Sequence, residues 1–485
     1  MQQTEYLQEQ ILNRLRLDNP WWATNSIDNY FQLMQRRLYL ELFYPLVANT
    51  ELRRGLLLMG PRRVGKTVML YHTIQKLIES GINPQKIVYI SIETPIYNRI
   101  SLEELFDLAR EAVGKSDDLK GFFVFFDEIQ YLKEWEIHLK SVIDTFFYSK
   151  FVASGSAAAA LKKKSQESGA GRFTDFSLPP LTFKEYIHLK NLNGLMIPTT
   201  IEWLGEELES FDTIDIRALN EHFIQYINFG GYPEVVFSEK IQANPGQFIR
   251  SDIVDKVLLR DLPSLYGIND VQELNSLFTV ISFHSGSEFS YDNLSIMSGV
   301  KKDTLRKYIE YLQAAFLIRI VHKTDMNAKR FQRATAFKIY LTNPSLRCAL
   351  FQPIQPMDEK MGDMVETTVF AQWIQRENAN ISYANWKEGR SSGEVDIVGL
   401  NAVTQKPMWA VEIKWSDRYF EHVGELKSLL SFMENNTLKQ AIVTSIEKKG
   451  CKQLDNVALQ FIPTAVYAYI VGHNTLQDRK QKIGL

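Results

Sequence analysis

At 485 residues the chain is too long for one compact core and implies roughly two to four domains. Hydrophobic residues at 45%, charged residues at 23% and a formal net charge of −2 describe an ordinary globular protein without a global basic field, so any nucleic-acid contact must be a local patch. The two cysteines, Cys348 and Cys451, exclude a disulfide framework and a four-cysteine zinc site. No apolar run approaches a membrane span and the N-terminus has no signal-peptide core, so the expectation is a cytoplasmic protein without a membrane partner.

The apolar run Gly55-Leu56-Leu57-Leu58-Met59 leads into Gly60-Pro61-Arg62-Arg63-Val64-Gly65-Lys66-Thr67 and then into the helical-looking Val68-Met69-Leu70-Tyr71. Strand, glycine-rich loop and helix is the order a phosphate cradle requires. Gly60 and Gly65 let the backbone bend so that amide N–H groups converge on phosphate oxygens, and the helix start adds its positive dipole end. Lys66 is expected to reach the β- and γ-phosphates of ATP, and the Thr67 hydroxyl to ligate Mg²⁺. Residues Gly60, Pro61, Arg62, Arg63, Val64, Gly65, Lys66, Thr67 and Val68 are the expected nucleotide contacts.

Lys86 to Ile92 reads as a second strand. Phe122-Phe123-Val124-Phe125-Phe126 reads as a buried parallel strand that ends in Asp127-Glu128, where α/β sheets place their ligands. Asp127 is expected to hold Mg²⁺ and Glu128 to polarise the attacking water. Phe151 to Ser156 reads as a strand beside these two, with Ser154 or Ser156 facing the γ-phosphate or the water, or both serving only the turn. Ala157 to Leu161, followed by Lys162-Lys163-Lys164, reads as a short helix running into a basic loop that is either solvated or turned towards DNA.

GPRRVGKT, FFDEIQ, ASGSAAAAL, Gly171-Arg172 and the segment Leu178 to Tyr186 together resemble the AAA-type ATPases of a large bacterial and archaeal family. The resemblance implies that the serine-rich strand end is the first sensor and that Arg172 meets the γ-phosphate, in its own subunit or a neighbour's. A guanidinium there neutralises charge on the transferred phosphoryl group. A trans arginine would imply a homo-oligomer, a hexameric ring among the arrangements allowed.

Residues 191–243 read as mostly helical, with Phe229-Gly230-Gly231-Tyr232-Pro233-Glu234 a tight turn of structural value that matches the same family. Phe289 to Val300 reads as a short helix closed by a turn, and Lys301 to Leu312 as a second helix. In the second, Leu305, Tyr308, Ile309 and Leu312 recur at helical spacing as the buried face. The other face carries Lys301, Lys302, Arg306 and Lys307, and Phe316 to Val321 follows as a strand, as in a winged helix. That basic face reads either as a helix-turn-helix contact to DNA phosphates or as a scaffold or subunit contact. Lys329-Arg330-Phe331-Gln332-Arg333 is a further basic stretch with an aromatic.

Near the C-terminus, Glu366 lies in an amphipathic helix candidate, Met364 to Trp373. Glu394-Val395-Asp396 and Glu412-Ile413-Lys414 lie on two strands joined by a hairpin around Asn401 to Pro407. Alternation gathers Glu394, Asp396, Glu412 and Lys414 in one small site. That group suits Mg²⁺ on Asp396 and Glu412, with the Ile413 carbonyl as a further ligand and Lys414 positioning or deprotonating water, or stabilising the phosphorus. Glu366, Asp396 and Glu412-x-Lys414 resemble the restriction-endonuclease-type core of the PD-(D/E)xK nucleases, with Ala441 to Ser445 as the next core strand. The resemblance implies Glu366 as a third metal carboxylate and Asp396, Glu412 and Lys414 as catalytic. One departure is that no proline precedes Asp396.

The expected fold class is therefore α/β. An AAA-type P-loop ATPase with a parallel sheet covers 1–190, a helical linker and winged helix 191–347, and an α/β restriction-endonuclease-like domain 348–485. The expected function is ATP-driven processing or remodelling of DNA, with metal-dependent cleavage. The alternatives are a branch-migration motor that does not cut and a signalling or defence switch that binds a protein partner.

Overall fold

The apolar runs of the first third fold, in a computed structural model, as β1 (Gly55–Met59), β2 (Ile87–Ser91), β3 (Phe123–Asp127), β4 (Lys150–Gly155) and β5 (Phe173–Ser177). The structure describes residues 2–98, 100–114, 120–156, 171–324, 336–376, 379–388, 391–454 and 456–483. Strands β1, β3 and β4 are buried at every position, so they lack polar alternation because helices cover both faces of the sheet. Every pairing is parallel, in the order β2-β3-β4-β1-β5. Inserting β4 between β1 and β3 sets three carboxyl ends side by side: the one before Gly60, the one ending at Asp127 and the one before Ser156.

The chain divides into two compact units, residues 1–179 and 180–484. This differs from the expected boundaries after 190 and 347. The reason is packing: Leu181, Phe183, Tyr186 and Ile187 share one core with Phe223 and Tyr226, with Val365, Val369 and Phe370, and with Ala465 to Val471. One core spanning those segments leaves no seam at either expected position.

Residues 196–213 correct the helical expectation. They form an antiparallel hairpin, β6 (Met196–Trp203) and β7 (Glu206–Thr213), closed by Leu204 and Gly205 at φ of 54° and 82°. Two central residues with positive φ make the hairpin turn that matches strand twist, and Leu-Gly is an uncommon sequence for it.

The rest of the unit is organised by a nine-stranded sheet. Helix Val271–Phe283, β8 (Glu288–Ser290), helices Tyr291–Ser298 and Lys302–Ala314, β9 (Ile318–Thr324) and β10 (Ala336–Leu341) follow in chain order. β10 pairs antiparallel with both β8 and β9. As the periodicity predicts, Leu305, Tyr308, Ile309 and Leu312 are buried. β11 (Ile381–Glu388) pairs parallel with β9 and antiparallel with β12 (Ser391–Leu400), which makes the sheet continuous. β13 (Pro407–Glu412) pairs with β12 across the expected hairpin, and β14 (Gln440–Ser445) lies parallel to β13. β15 (Gly450–Leu454) and β16 (Val457–Pro463) complete the edge. Helix Met361–Trp373 is buried on nearly every face rather than amphipathic, because both the long sheet and helix Thr464–Lys482 pack on it. The basic stretches at 162–164 and 329–333 lie outside the described residues. Among the described residues no helix is long and apolar enough to cross a membrane.

Phe106 anchors the first unit's core, fully buried with its ring edge-on to Phe122, Phe146 and Phe151 at 5.4, 5.0 and 5.8 Å. Phe106→Ala is expected to cost the first unit about 3–5 kcal/mol, read from its transition in urea titration. A loss under about 1 kcal/mol would contradict this packing.

Candidate functional site

The loop after β1 takes its shape from two constraints. Gly60 runs against the chain, where an added Cβ would stand 2.2 Å from the Leu178 carbonyl oxygen. Arg63 and Gly65 then turn the backbone through positive φ, 64° and 90°, into helix Lys66–Glu79. No side chain caps that helix at Gly65, so its first-turn N–H groups and dipole are left for an anion. Lys66 is buried and donates to the carbonyls of Gly60 at 3.2 Å and Pro61 at 3.0 Å, folded back over the loop it would serve. Buried Arg37, from the N-terminal segment, donates to the carbonyls of Val64 at 2.9 Å and Pro179 at 3.0 Å and so braces the loop from behind.

Asp127 is the centre of the site. Its Oδ2 accepts from Thr67 Oγ1 at 2.7 Å and Tyr89 OH at 2.8 Å, and its Oδ1 from Ser154 Oγ and the Glu128 N–H. Burial, and then the Glu128 charge, raise its proton affinity, while the three hydroxyls oppose the rise. The Thr67 hydroxyl and Asp127 carboxylate are adjacent hard oxygen donors and fit a magnesium ion.

Glu128 sits in a left-handed conformation, φ 55°, which turns its side chain out of the strand direction. Its carboxylate accepts from Gln130 Nε2, and the other end of that carboxamide accepts the Ser156 N–H at 3.2 Å. Gln130 thus ties the candidate base to the end of β4. Ser154 is committed to Asp127, whereas the buried Ser156 hydroxyl has no hydrogen-bond partner among the described residues. Glu93 also faces this corner. Burial and the charges of Glu128 and Asp127 raise its pKa against the pull of Arg62. Sequence reasoning missed Arg37, Tyr89, Glu93 and Gln130. Only Gln130, two residues past Glu128, carried a local signal.

Arg172 is a correction for its own chain. β5 runs parallel to β1 with Phe173 opposite Gly55, so Arg172 lies at the end of the sheet away from the phosphate loop. Five residues of strand separate them, about 17 Å at ~3.3 Å per residue. Arg172 pairs there with Asp144 at 3.2 Å and is half exposed, out of reach of its own nucleotide.

In the second unit the β12–β13 register brings Asp396 beside Glu412 and Ile413, and Asp396 Oδ2 accepts the Ile413 N–H at 2.7 Å. Lys414 reaches Glu412 Oε1 at 2.7 Å, and its backbone N–H donates to Thr444 Oγ1 at 2.8 Å. Burial opposes the charge on Lys414, but Glu412 and Asp396 outweigh it and hold the amine protonated, so it stabilises anionic charge rather than taking a proton. Glu412 Oε2 is buried with no hydrogen-bond partner. Burial, and then Asp396, push the Glu412 carboxyl from 4.5 up to about 8. Glu366 is pushed up to about 7 by the same loss of solvent, against Lys338.

Glu366 is the second correction. It is bound by Lys338 Nζ at 2.8 Å and Tyr340 OH at 2.6 Å, both from β10. Among the described residues no group of three or more His, Cys, Asp or Glu is arranged to hold a metal ion. Asp396 and Glu412 are a pair of hard oxygen donors with one orphaned buried oxygen, which fits a divalent cation. Both bonds fall on Glu366 Oε1, and the lysine offsets the charge this carboxylate would bring to the ion.

Lys301, just before the helix Lys302–Ala314, and Lys302, Arg306 and Lys307 on it are all exposed. Lys302 pairs with Asp292, and the Arg306 guanidinium stacks 5.1 Å from the Tyr291 ring.

Residues 52–187 match the family model described as "AAA domain", and residues 220–357 match a domain of unknown function (DUF8612). The matched motif and the five-stranded parallel sheet make this first region an AAA-type P-loop ATPase domain. An uncharacterized protein of Methanocaldococcus jannaschii is 25% identical over 83% of this chain and 80% of its own. One from Haemophilus influenzae is 25% identical over 59% of this chain and 67% of its own. Among solved structures, AMPPCP-bound DnaA from Aquifex aeolicus aligns at 12% identity over 58% of this chain and 90% of that one, with a TM-score of 0.28. The S. cerevisiae Hsp104:casein complex aligns at 11% over 55% and 49%, with a TM-score of 0.29. Scores this low assign no architecture.

Gln130→Ala is expected to lower ATP turnover roughly tenfold, with KM for ATP within about twofold, since it orients Glu128 without touching nucleotide. Steady-state kinetics showing unchanged turnover would remove that role. For Glu412 the sign follows from its raised pKa. Between pH 4.5 and about 8 the folded form holds a proton that the unfolded form has released, so stability falls as pH rises through this window. In EDTA, urea titrations from pH 5 to 8 should show a decline of roughly 1 kcal/mol per pH unit. Glu412→Gln should flatten most of it, and an equal slope in the variant would contradict the assignment.

Proposed function

We propose that the chain is an ATP-driven, DNA-handling AAA-type ATPase whose second unit holds DNA phosphates and carries a metal-dependent phosphodiester site. The observation that carries the DNA reading is the Asp396–Glu412–Lys414 group: two carboxylates and a protonated lysine at adjoining strand ends, with a buried oxygen left unpartnered. The order helix, strand, two helices, hairpin over 271–341 supports a winged helix, and the strands and helix around that group support a restriction-endonuclease-like core.

In this reading Lys66 swings from the Gly60 and Pro61 carbonyls to the β- and γ-phosphates, and Gly60 to Val68 cradle them with N–H groups. Thr67 and Asp127 hold Mg²⁺, which supplies charge neutralisation on the phosphates. Glu128, oriented by Gln130, takes the proton of the attacking water, and Ser156 offers a hydroxyl at the same corner. Arg172 serves only across a subunit boundary, which makes the working form a homo-oligomer. In the second unit Asp396, Glu412 and the Ile413 carbonyl would hold a divalent cation, which would supply Lewis-acid chemistry for a phosphodiester, and Lys414 neutralises charge gathering on phosphorus. Lys301, Lys302, Arg306 and Lys307 meet backbone phosphates.

A second reading, DNA remodelling without cutting, is favoured by the hold of Lys338 on Glu366, which offsets the charge of one carboxylate of the group.

One experiment separates these readings. ATP turnover and DNA nicking are measured in the same tubes with Mg²⁺ or Mn²⁺ and DNA of several shapes. Lys66→Ala should abolish turnover and Asp396→Ala only nicking. Replacing Lys301, Arg306 and Lys307 with Ala together should make the salt dependence of DNA binding shallower, by about 2 to 3 in log–log slope. Turnover that survives Lys66→Ala sinks the motor, DNA affinity indifferent to the basic face sinks the DNA contact, and absence of nicking on every DNA leaves the second reading.

A further inference from the structure

Lys338 belongs to none of the motifs above, yet it is among the most buried charges in the second unit, at 3% exposure. It comes from β10, where it pairs in register with Glu288 on one side and Val321 on the other. Its ammonium reaches Glu366 Oε1 at 2.8 Å and Glu394 Oε1 at 2.5 Å, and Asp396 also acts on its charge. Glu288 is satisfied elsewhere, by Lys323 at 3.3 Å and Tyr383 OH at 2.7 Å. The three-stranded part of the sheet therefore delivers a cation into the carboxylate pocket of its other part.

The charges in that pocket can be counted. Glu366, Glu394, Asp396 and Glu412 face Lys338 and Lys414, with Asp396 acting on both ammoniums. Lys338 answers Glu366 and Glu394, and Lys414 answers one oxygen of Glu412, so the oxygen left for a cation is Glu412 Oε2. The orphaned oxygen also lies on the far carboxylate, Glu412, and not on those Lys338 touches. An ammonium already paired with Glu366 and Glu394 repels a metal ion placed beside it, so the unpartnered side of the pocket is where an ion fits.

We propose that the Lys338 ammonium stands where a second metal ion would otherwise be bound, so that the pocket takes a single divalent cation on the Asp396 and Glu412 side. Lys338 is in that sense a specificity-determining residue, setting metal number through its hold on Glu366 and Glu394. The inference rests on reading the pocket as a metal site.

The test counts Mn²⁺ bound by the full-length protein without nucleotide, by equilibrium dialysis, and takes its electron paramagnetic resonance spectrum. The ions assigned to the pocket are those lost in Asp396→Asn. Wild type should bind one such ion with the six-line spectrum of an isolated Mn²⁺. Lys338→Met should bind two, with the broadened spectrum of a spin-coupled pair. A coupled pair in wild type, or a single ion in folded Lys338→Met, overturns the role of Lys338 and leaves the metal site standing. No Mn²⁺ lost in Asp396→Asn overturns the metal site itself. If Lys338→Met does not fold, the wild-type spectrum alone still decides between one ion and a pair.

Discussion

A carboxylate taken out of water must be hydrogen-bonded from every side, and the ATPase site is built around meeting that demand at Asp127. Its partners come from the helix after the phosphate loop, from β2 and from β4, so one buried charge fixes three elements relative to one another. The strand order makes this possible, because only with β4 between β1 and β3 do Thr67, Asp127 and Ser154 meet. Gln130 extends the same network outward to Glu128 and Ser156. The corner that holds Glu128 and Ser156 is thus a continuation of the sheet's own polar satisfaction rather than a set of loop residues brought together separately.

The second unit solves a similar problem with opposite charges rather than hydroxyls. Burial, with the charge of Asp396 added to it, raises the proton affinity of Glu366 and Glu412, and Lys338 and Lys414 offset the rise only in part. The residual imbalance falls on Glu412, whose outer oxygen lacks a partner. An apolar isostere set would be cheaper to bury, so an incompletely neutralised acid group argues for a ligand. The pairing of β9 with β11 is the structural link, since it holds the strand of Lys338 within reach of the acids on β12 and β13.

Arg172 and the 196–213 hairpin illustrate two ways in which long-range pairing adds to what a sequence shows. Arg172 has the right neighbours in the chain, but parallel pairing of β5 with β1 puts it at the wrong end of the sheet for its own nucleotide. The hairpin lacks the Asn-Gly or Asp-Gly turn by which such pairs are recognised, and Leu204 takes the strained position instead. In the first case a long-range pairing outweighed a local motif. In the second, tertiary contacts on one edge stabilised a turn that local preference disfavours.

What the sequence determined by itself was whatever rests on near neighbours in the chain. The phosphate loop, the buried strand ending at Asp127, the buried stripe of helix Lys302–Ala314 and the Asp396–Glu412 hairpin all follow from periodicity, glycine placement and strand alternation. Only the tertiary structure decided which distant groups complete them. Arg37 behind the loop, Tyr89 on Asp127 and Lys338 among the acids come from segments 27, 38 and at least 28 residues away, with no local pattern of their own. A buried charge must find a partner somewhere, but which one it finds depends on strand order and register, which are properties of the whole sheet.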